Sequence, residues 1–183
     1  MFKRLKDIVV ACCFLALLGL IALKVNHEEP KRYGGAFRIV DGDSLEMAGR
    51  RMRLWGVDAP ELRQTCQRDG QPWACGQDAK RLLATLMAEP AALCEGTKID
   101  KYDRLLVTCR AGGQLVNRAL VEAGMAVSFG GYEREEAQAR ERRRGLWSGN
   151  FDRPSDWRKA EKSATAEETE HSGSFIAQLF GMP

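Results

Sequence analysis

Three short clusters hold the residues of this chain that could do chemistry together. The first is Asp41-Gly42-Asp43-Ser44. The second is Arg53-Leu54-Trp55-Gly56-Val57-Asp58-Ala59-Pro60-Glu61, and the third is Asp100-Lys101-Tyr102-Asp103-Arg104. Asp43, Asp58 and Glu61 bring three carboxylates, and Arg53 and Arg104 bring two permanent cations. Hard oxygen donors suit a hard cation, and guanidinium forks suit phosphate oxygens. A carboxylate-bound divalent ion with two arginines beside it is a device for displacement at phosphorus, because charge growing on the phosphate oxygens is met from several sides. Singly, each residue has a plainer reading. Turn and strand-end aspartates are commonly turn formers, and a lone arginine is commonly half of a surface ion pair. The combination argues for chemistry.

The elements that must position these clusters are short strands followed by helices. Residues 37–40, 45–47 and 52–55 are β-rich pieces separated by turn signals, and 93–95 and 105–109 read as strands around the Asp100–Arg104 loop. Ala79, Leu82, Leu83, Leu86 and Met87 fall at helical spacing, with Pro90 marking the end. Leu115, Val116, Ala119, Leu120 and Ala123 make a second stripe stopped by Gly124. A charged third helix is expected over 133–144, stopped by Gly145. Strands first and helices later imply an α+β fold, a small barrel or sheet with helices.

In order and spacing, the clusters resemble the staphylococcal nuclease (thermonuclease) family over roughly residues 36–148. Leu115 to Val121 with Gly124, Glu136-Ala137-Gln138-Ala139 and Gly145-Leu146-Trp147 extend the likeness to two helices. The resemblance implies a five-stranded OB-type β-barrel with about three α-helices. It implies Ca2+ held by Asp43, Asp58 and the backbone carbonyl of Ala59, with Glu61 as general base and Arg53 and Arg104 on the phosphate. Lys101, Tyr102 and Tyr132 stand where the family contacts its nucleotide. The implied activity is Ca2+-dependent endonucleolytic hydrolysis of DNA and RNA with little sequence preference, single strands favoured, by in-line attack of water on phosphorus.

Three departures accompany the resemblance. Ala59 replaces the usual Thr, which keeps a carbonyl ligand and loses a hydroxyl. Asp103 replaces the usual Gly and puts a negative charge beside Arg104. The loop Ser128-Phe129-Gly130-Gly131-Tyr132 has one tyrosine where two are common. The alternative function is a catalytically weak OB-type module, anchored at the membrane, that binds nucleic acid or protein.

The chain has 183 residues and a net charge of +3, which suits one compact domain with appendages and is compatible with a polyanionic substrate. Lys3, Arg4 and Lys6 precede an uncharged apolar run from Ile8 to Leu23, closed by Lys24. That pattern reads as a membrane anchor, or alternatively a secretory signal, with the body exported to the periplasmic or extracellular side. Cys66, Cys75, Cys94 and Cys109 lie in the body, with no C-x-x-C, and His27 and His171 fall outside it. Exported cysteines in even number favour disulfides over zinc. Of three connectivities, Cys66–Cys75 and Cys94–Cys109 are local and each brackets one loop. The expected organisation is an N-terminal anchor (1–25), a linker (26–35), a nuclease-like domain (36–159) and a polar, disordered tail (160–183), in a chain expected to be monomeric.

Overall fold

The structure, a computed structural model, describes residues 2–25 and 29–165. The expected tail beyond 165, and linker residues 26–28, lie outside the described residues. The chain divides into two units, residues 1–31 and 32–183. In the first unit, helix α1 spans Phe2–Val25. Its uncharged run is about 24 Å long at helical rise, against the ~30 Å of a bilayer's apolar core. Among the described residues no helix is long and apolar enough to cross a membrane.

The second unit is the expected mixed α+β body. Its strands are β1 (Lys31–Gly34), β2 (Arg38–Ile39), β3 (Ser44–Met47), β4 (Arg50–Leu54), β5 (Val57–Asp58), β6 (Cys66–Arg68), β7 (Gln71–Trp73), β8 (Leu93–Gly96), β9 (Leu105–Ala111), β10 (Gln114–Leu115) and β11 (Val127–Ser128). The helices are α2 (Cys75–Met87), α3 (Val116–Glu122) and α4 (Glu133–Glu141), followed by a 3-10 turn at Gly145–Ser148 and a helix over 154–165, here α5. The main sheet runs β1-β8-β9-β4-β3-β2, with β10 added to β9. β2 with β3, β3 with β4, β8 with β9 and β10 with β9 pair antiparallel, whereas β4 meets β9 in parallel.

A curled sheet covered by helices fits the barrel-with-helices class, but its strand and helix counts differ from five and three. Within the segment expected as a linker, 26–35, Lys31–Gly34 forms β1 beside β8. Helix α5 runs across the expected boundary at 159. Ser163, expected in the disordered tail, lies in α5 and donates its hydroxyl to the Lys159 carbonyl at 3.1 Å.

Alternation decides which side chains can reach the chemistry. On β9, Leu105, Val107, Cys109 and Ala111 point into the core. On β4, Met52 and Leu54 do the same, leaving Arg51 and Arg53 on the opposite face. Parallel register places Arg53 beside Leu106. The amide of buried Asn117 on α3 fixes the far end of these strands. It donates to the carbonyls of Trp55 (2.9 Å) and Val107 (3.1 Å) and accepts the Cys109 N–H at 3.0 Å. Three satisfied bonds on one buried amide tie α3 to both strands.

Both expected disulfides are present. Cys94 and Cys109 are directly paired across β8 and β9, the strands that bracket the Asp100–Arg104 loop. Cys66–Cys75 joins β6 to the first turn of α2, in a second small core with Val127 and Leu146. Cys12 and Cys13 are free. A thiol titration of denatured, unreduced protein should therefore find two reactive groups, and six after reduction. Opening each bridge should cost about 2–4 kcal/mol of stability, read from the denaturant midpoint.

Candidate active site

Asp43 is delivered by a tight turn. Its N–H donates to the Asp41 carboxylate at 3.0 Å, and its carbonyl receives the Leu54 N–H at 2.8 Å. Gly42 makes the turn possible by close approach. A Cβ there would stand 2.7 Å from the Ala59 Cβ and 2.8 Å from the Ala79 Cβ. The Asp43 side chain is buried. Its Oδ1 receives Arg53 Nη1 at 2.7 Å and the Ser44 hydroxyl at 3.0 Å, and its Oδ2 receives the Ala59 N–H at 3.0 Å. Arg53 Nη2 donates to Asp58 Oδ1 at 2.8 Å. One guanidinium thus spans two buried carboxylates.

Burial pushes the Asp43 carboxyl up to about 7, with Arg53 pulling the other way and Asp41 and Asp58 adding repulsion. Burial opposes the charge of Arg53 too, but Asp43 and Asp58 outweigh it and hold that guanidinium above its ordinary range.

Glu61 follows β5 on a loop held from two sides. Its N–H donates to the buried Gln64 amide oxygen at 3.2 Å, and Gln64 Nε2 donates to the Asp152 carbonyl at 2.7 Å. A Cβ on Gly76 would stand 1.8 Å from the Glu61 carbonyl oxygen, so the first turn of α2 packs directly under this loop. The Glu61 carboxylate meets a residue that the sequence patterns did not single out. Arg158, on α5, donates Nη1 to Glu61 Oε1 at 2.8 Å and to Asp58 Oδ1 at 3.0 Å, and Nη2 to Asp58 Oδ2 at 3.0 Å. Burial opposes the charge on Arg158, but Asp58 and Glu61 raise its pKa overall. Nothing local marks Arg158, a lone arginine in a charged segment.

Arg104 is placed by Asp100. The Asp100 Oδ1 receives the N–H groups of Tyr102 (2.9 Å) and Arg104 (3.0 Å), while Oδ2 receives Arg104 Nε at 2.9 Å and Nη2 at 2.7 Å. Those bonds lower the Asp100 pKa against a burial effect that would raise it. The carboxylate that pairs with Arg104 is that of Asp100. Asp103 adopts the left-handed backbone, φ 61°, which Asp tolerates better than most residues.

A cleft of about 650 Å³ gathers Arg53, Glu61, Lys101, Tyr102, Arg104 and Arg158, with Trp55 and Phe129 on its apolar side. Tyr132, expected at the nucleotide, is not among the cleft's lining residues. Its ring packs on the core and edge-on to Trp55 at 6.3 Å. The aromatic residues that line the cleft are Trp55, Tyr102 and Phe129.

The family described as staphylococcal nuclease homologue matches residues 51–149. This chain belongs to that family. It is 39% identical over 140 residues to succinoglycan biosynthesis protein ExoI of Rhizobium meliloti (strain 1021), covering 70% of this chain and 72% of the relative. It is 32% identical over 154 residues to a micrococcal nuclease of Shigella flexneri, covering 72% and 83% respectively. An uncharacterized endonuclease of Haemophilus influenzae is 31% identical over 137 residues, covering 68% and 72%. The staphylococcal nuclease match includes Arg53, Asp58, Glu61 and Arg104 and leaves out both Asp43 and Arg158.

The donor chemistry fits the cation that this nuclease family implies. Among the described residues no group of three His, Cys, Asp or Glu is arranged to hold a metal. What exists is a pair of buried carboxylates bridged by Arg53, of which Asp43 is pushed toward neutrality by its burial. Oδ1 of each aspartate already accepts two bonds, so the spare acceptor capacity lies on the Oδ2 atoms, each of which accepts one. Ca2+ takes about six to eight oxygen ligands, so the protein would supply a minority and water or a phosphate the rest.

The raised Asp43 pKa fixes a sign. Its ordinary value is 3.8 and its folded value about 7, so its contribution to stability is present below pH 4 and is lost as pH rises through about 7. In chelator, Asp43→Asn should gain stability relative to the parent as pH rises from about 4 to about 7, by no more than about 4 kcal/mol. Denaturant midpoints measure this. A pH-independent difference would mean that Asp43 titrates in the usual carboxylate range.

Proposed function

We propose that this protein is a nuclease, a Ca2+-dependent phosphodiesterase that hydrolyses DNA and RNA, preferring single strands. One observation carries the reading: Arg53, Glu61 and Arg158 line a cleft with Arg104, while Arg158 joins Glu61 to the buried Asp58 and Arg53 joins Asp58 to the buried Asp43. The nuclease names of the Shigella and Haemophilus relatives support it. The alternative, a binding module without turnover, is not favoured by a site that retains Asp43, Asp58, Glu61, Arg53 and Arg104 together.

Asp43, Asp58 and the Ala59 carbonyl would hold a Ca2+ ion, which when bound supplies a double positive charge beside the reacting phosphate. Glu61 takes a proton from the water that attacks phosphorus, in line with the departing oxygen. Its carboxylate is half-exposed at the cleft, where water can reach it. Arg53 uses two of its five donors on the aspartates and retains three for phosphate oxygens. Arg104, braced by Asp100, presents a planar fork to the phosphate from the third cluster. Lys101 and Tyr102 take a neighbouring phosphate. Trp55 and Phe129 offer ring faces on which bases stack irrespective of sequence.

The protein acts outside the cytoplasm as a monomer, its N-terminal segment attached to the membrane or serving as an export signal. Two body disulfides and the basic residues before the apolar run support that location.

Purified full-length protein should degrade single-stranded DNA with Ca2+ and stop in chelator. Asp43→Ala should lower the rate at least about a hundredfold. Arg104→Lys should also lower kcat strongly, because an ammonium cannot reproduce the fork, while Asp103→Gly should change little. Undiminished turnover in chelator would overturn the reading.

A further inference from the structure

The contact that family membership does not account for is Arg158. Its helix, α5, begins after the matched residues end at 149, yet its guanidinium covers both oxygens of Asp58 and one of Glu61. Asp58 therefore carries contacts from two arginines, both reaching Oδ1. A divalent ion approaching Asp58 meets that positive charge at contact distance, where like charges repel strongly outside bulk water.

The two arginines differ in freedom to move aside. Arg53 is on β4, paired on one side to β3 and on the other to β9, with a side chain 17% exposed and a second anchor on Asp43. Arg158 is on a surface helix, with a side chain 34% exposed. Its helix is secured by contacts that spare the guanidinium. Arg63 pairs with Glu161 at 2.7 Å, and the Gln64 amide holds the Asp152 carbonyl just before the helix. Lys162, one turn further on, lines the same cleft. The helix can thus stay seated while the Arg158 side chain swings into the cleft.

We propose that Arg158 is the resident counter-cation of Asp58 and Glu61, competing with the divalent ion for these carboxylates and thereby setting the ion's affinity. The inference rests on the Ca2+-dependent reading above and goes beyond it. A guanidinium satisfies the carboxylates in the ion-free protein and yields Asp58 when the ion enters.

The test is ion-dependent stability of the full chain, with Ca2+ alone as the probe. Denaturant midpoints are measured in chelator and across a Ca2+ titration, giving an apparent Kd through linkage. Arg158→Gln should bind Ca2+ about tenfold more tightly, equivalent to about 1.4 kcal/mol. It should be less stable than the parent in chelator, where Asp58 and Glu61 are left facing each other, and should recover most of the loss at saturating Ca2+. Should Arg158→Gln fail to fold in chelator, Arg158→Lys carries the test. It cannot span both carboxylates, and its affinity should rise by a smaller factor. Equal stability loss with and without Ca2+, or an affinity unchanged or weakened, would overturn the proposal and leave Arg158 a structural ion pair. If neither parent nor variants are stabilised by Ca2+, the ion-site reading falls as well. If the parent is stabilised and Arg158→Gln no more so, only the competition is lost.

Discussion

The guanidinium of Arg53, set between the carboxylates of Asp43 and Asp58, is the interaction around which the body is organised. Two buried acids side by side are unfavourable unless a cation is supplied at contact distance, and Arg53 supplies it from strand β4. The turn at Gly42, the pairing of β3 with β4 and the N–H of Ala59 serve that arrangement, because each fixes one corner of it. The parallel pairing of β4 with β9 brings the strand that follows Arg104 alongside. The Asn117 amide and the Cys94–Cys109 bridge then hold this strand group from behind. Core and site share a frame: alternate residues of β4 and β9 fill the interior while their neighbours face the cleft.

The local parts of this site were legible in the sequence. Asp43 and Asp58 sit in short, dense patterns whose turn residues announce themselves, and the helical stripes of α2 and α3 come from strict apolar spacing. The two bridges followed from locality. Contacts made at long range between ordinary residues were not legible. Arg158 lies 100 residues from its partner Asp58, inside a segment where lysine, arginine and glutamate are all frequent, so no spacing distinguishes it. Gln64 is similar, a single polar residue whose role depends wholly on where the 150–153 segment returns.

Two misses had a signal that could have been used. Asp69 and Gly70 both take positive φ between β6 and β7, the backbone demanded by the tightest hairpin turns, and Asp-Gly is a strong sequence mark for it. The arginine, glutamine and proline content of the flanking strands concealed the hairpin. At Tyr132 the ring alone suggested a role on the nucleotide. Its left-handed backbone, φ 68°, and the lack of a side chain at Gly56 turn it instead against Trp55, so the exposed stacking surface passed to a neighbouring residue.

The position of α5 has a consequence for how such chains are divided. A fragment ending at residue 149, where the family match ends, would contain every residue of the three clusters and would look complete by pattern. It would lack the guanidinium that joins Asp58 to Glu61. Its acidic wall would differ by a full unit of charge from that of the intact protein. Boundaries drawn by likeness and boundaries drawn by electroneutrality do not coincide here, and the second kind governs how the site behaves.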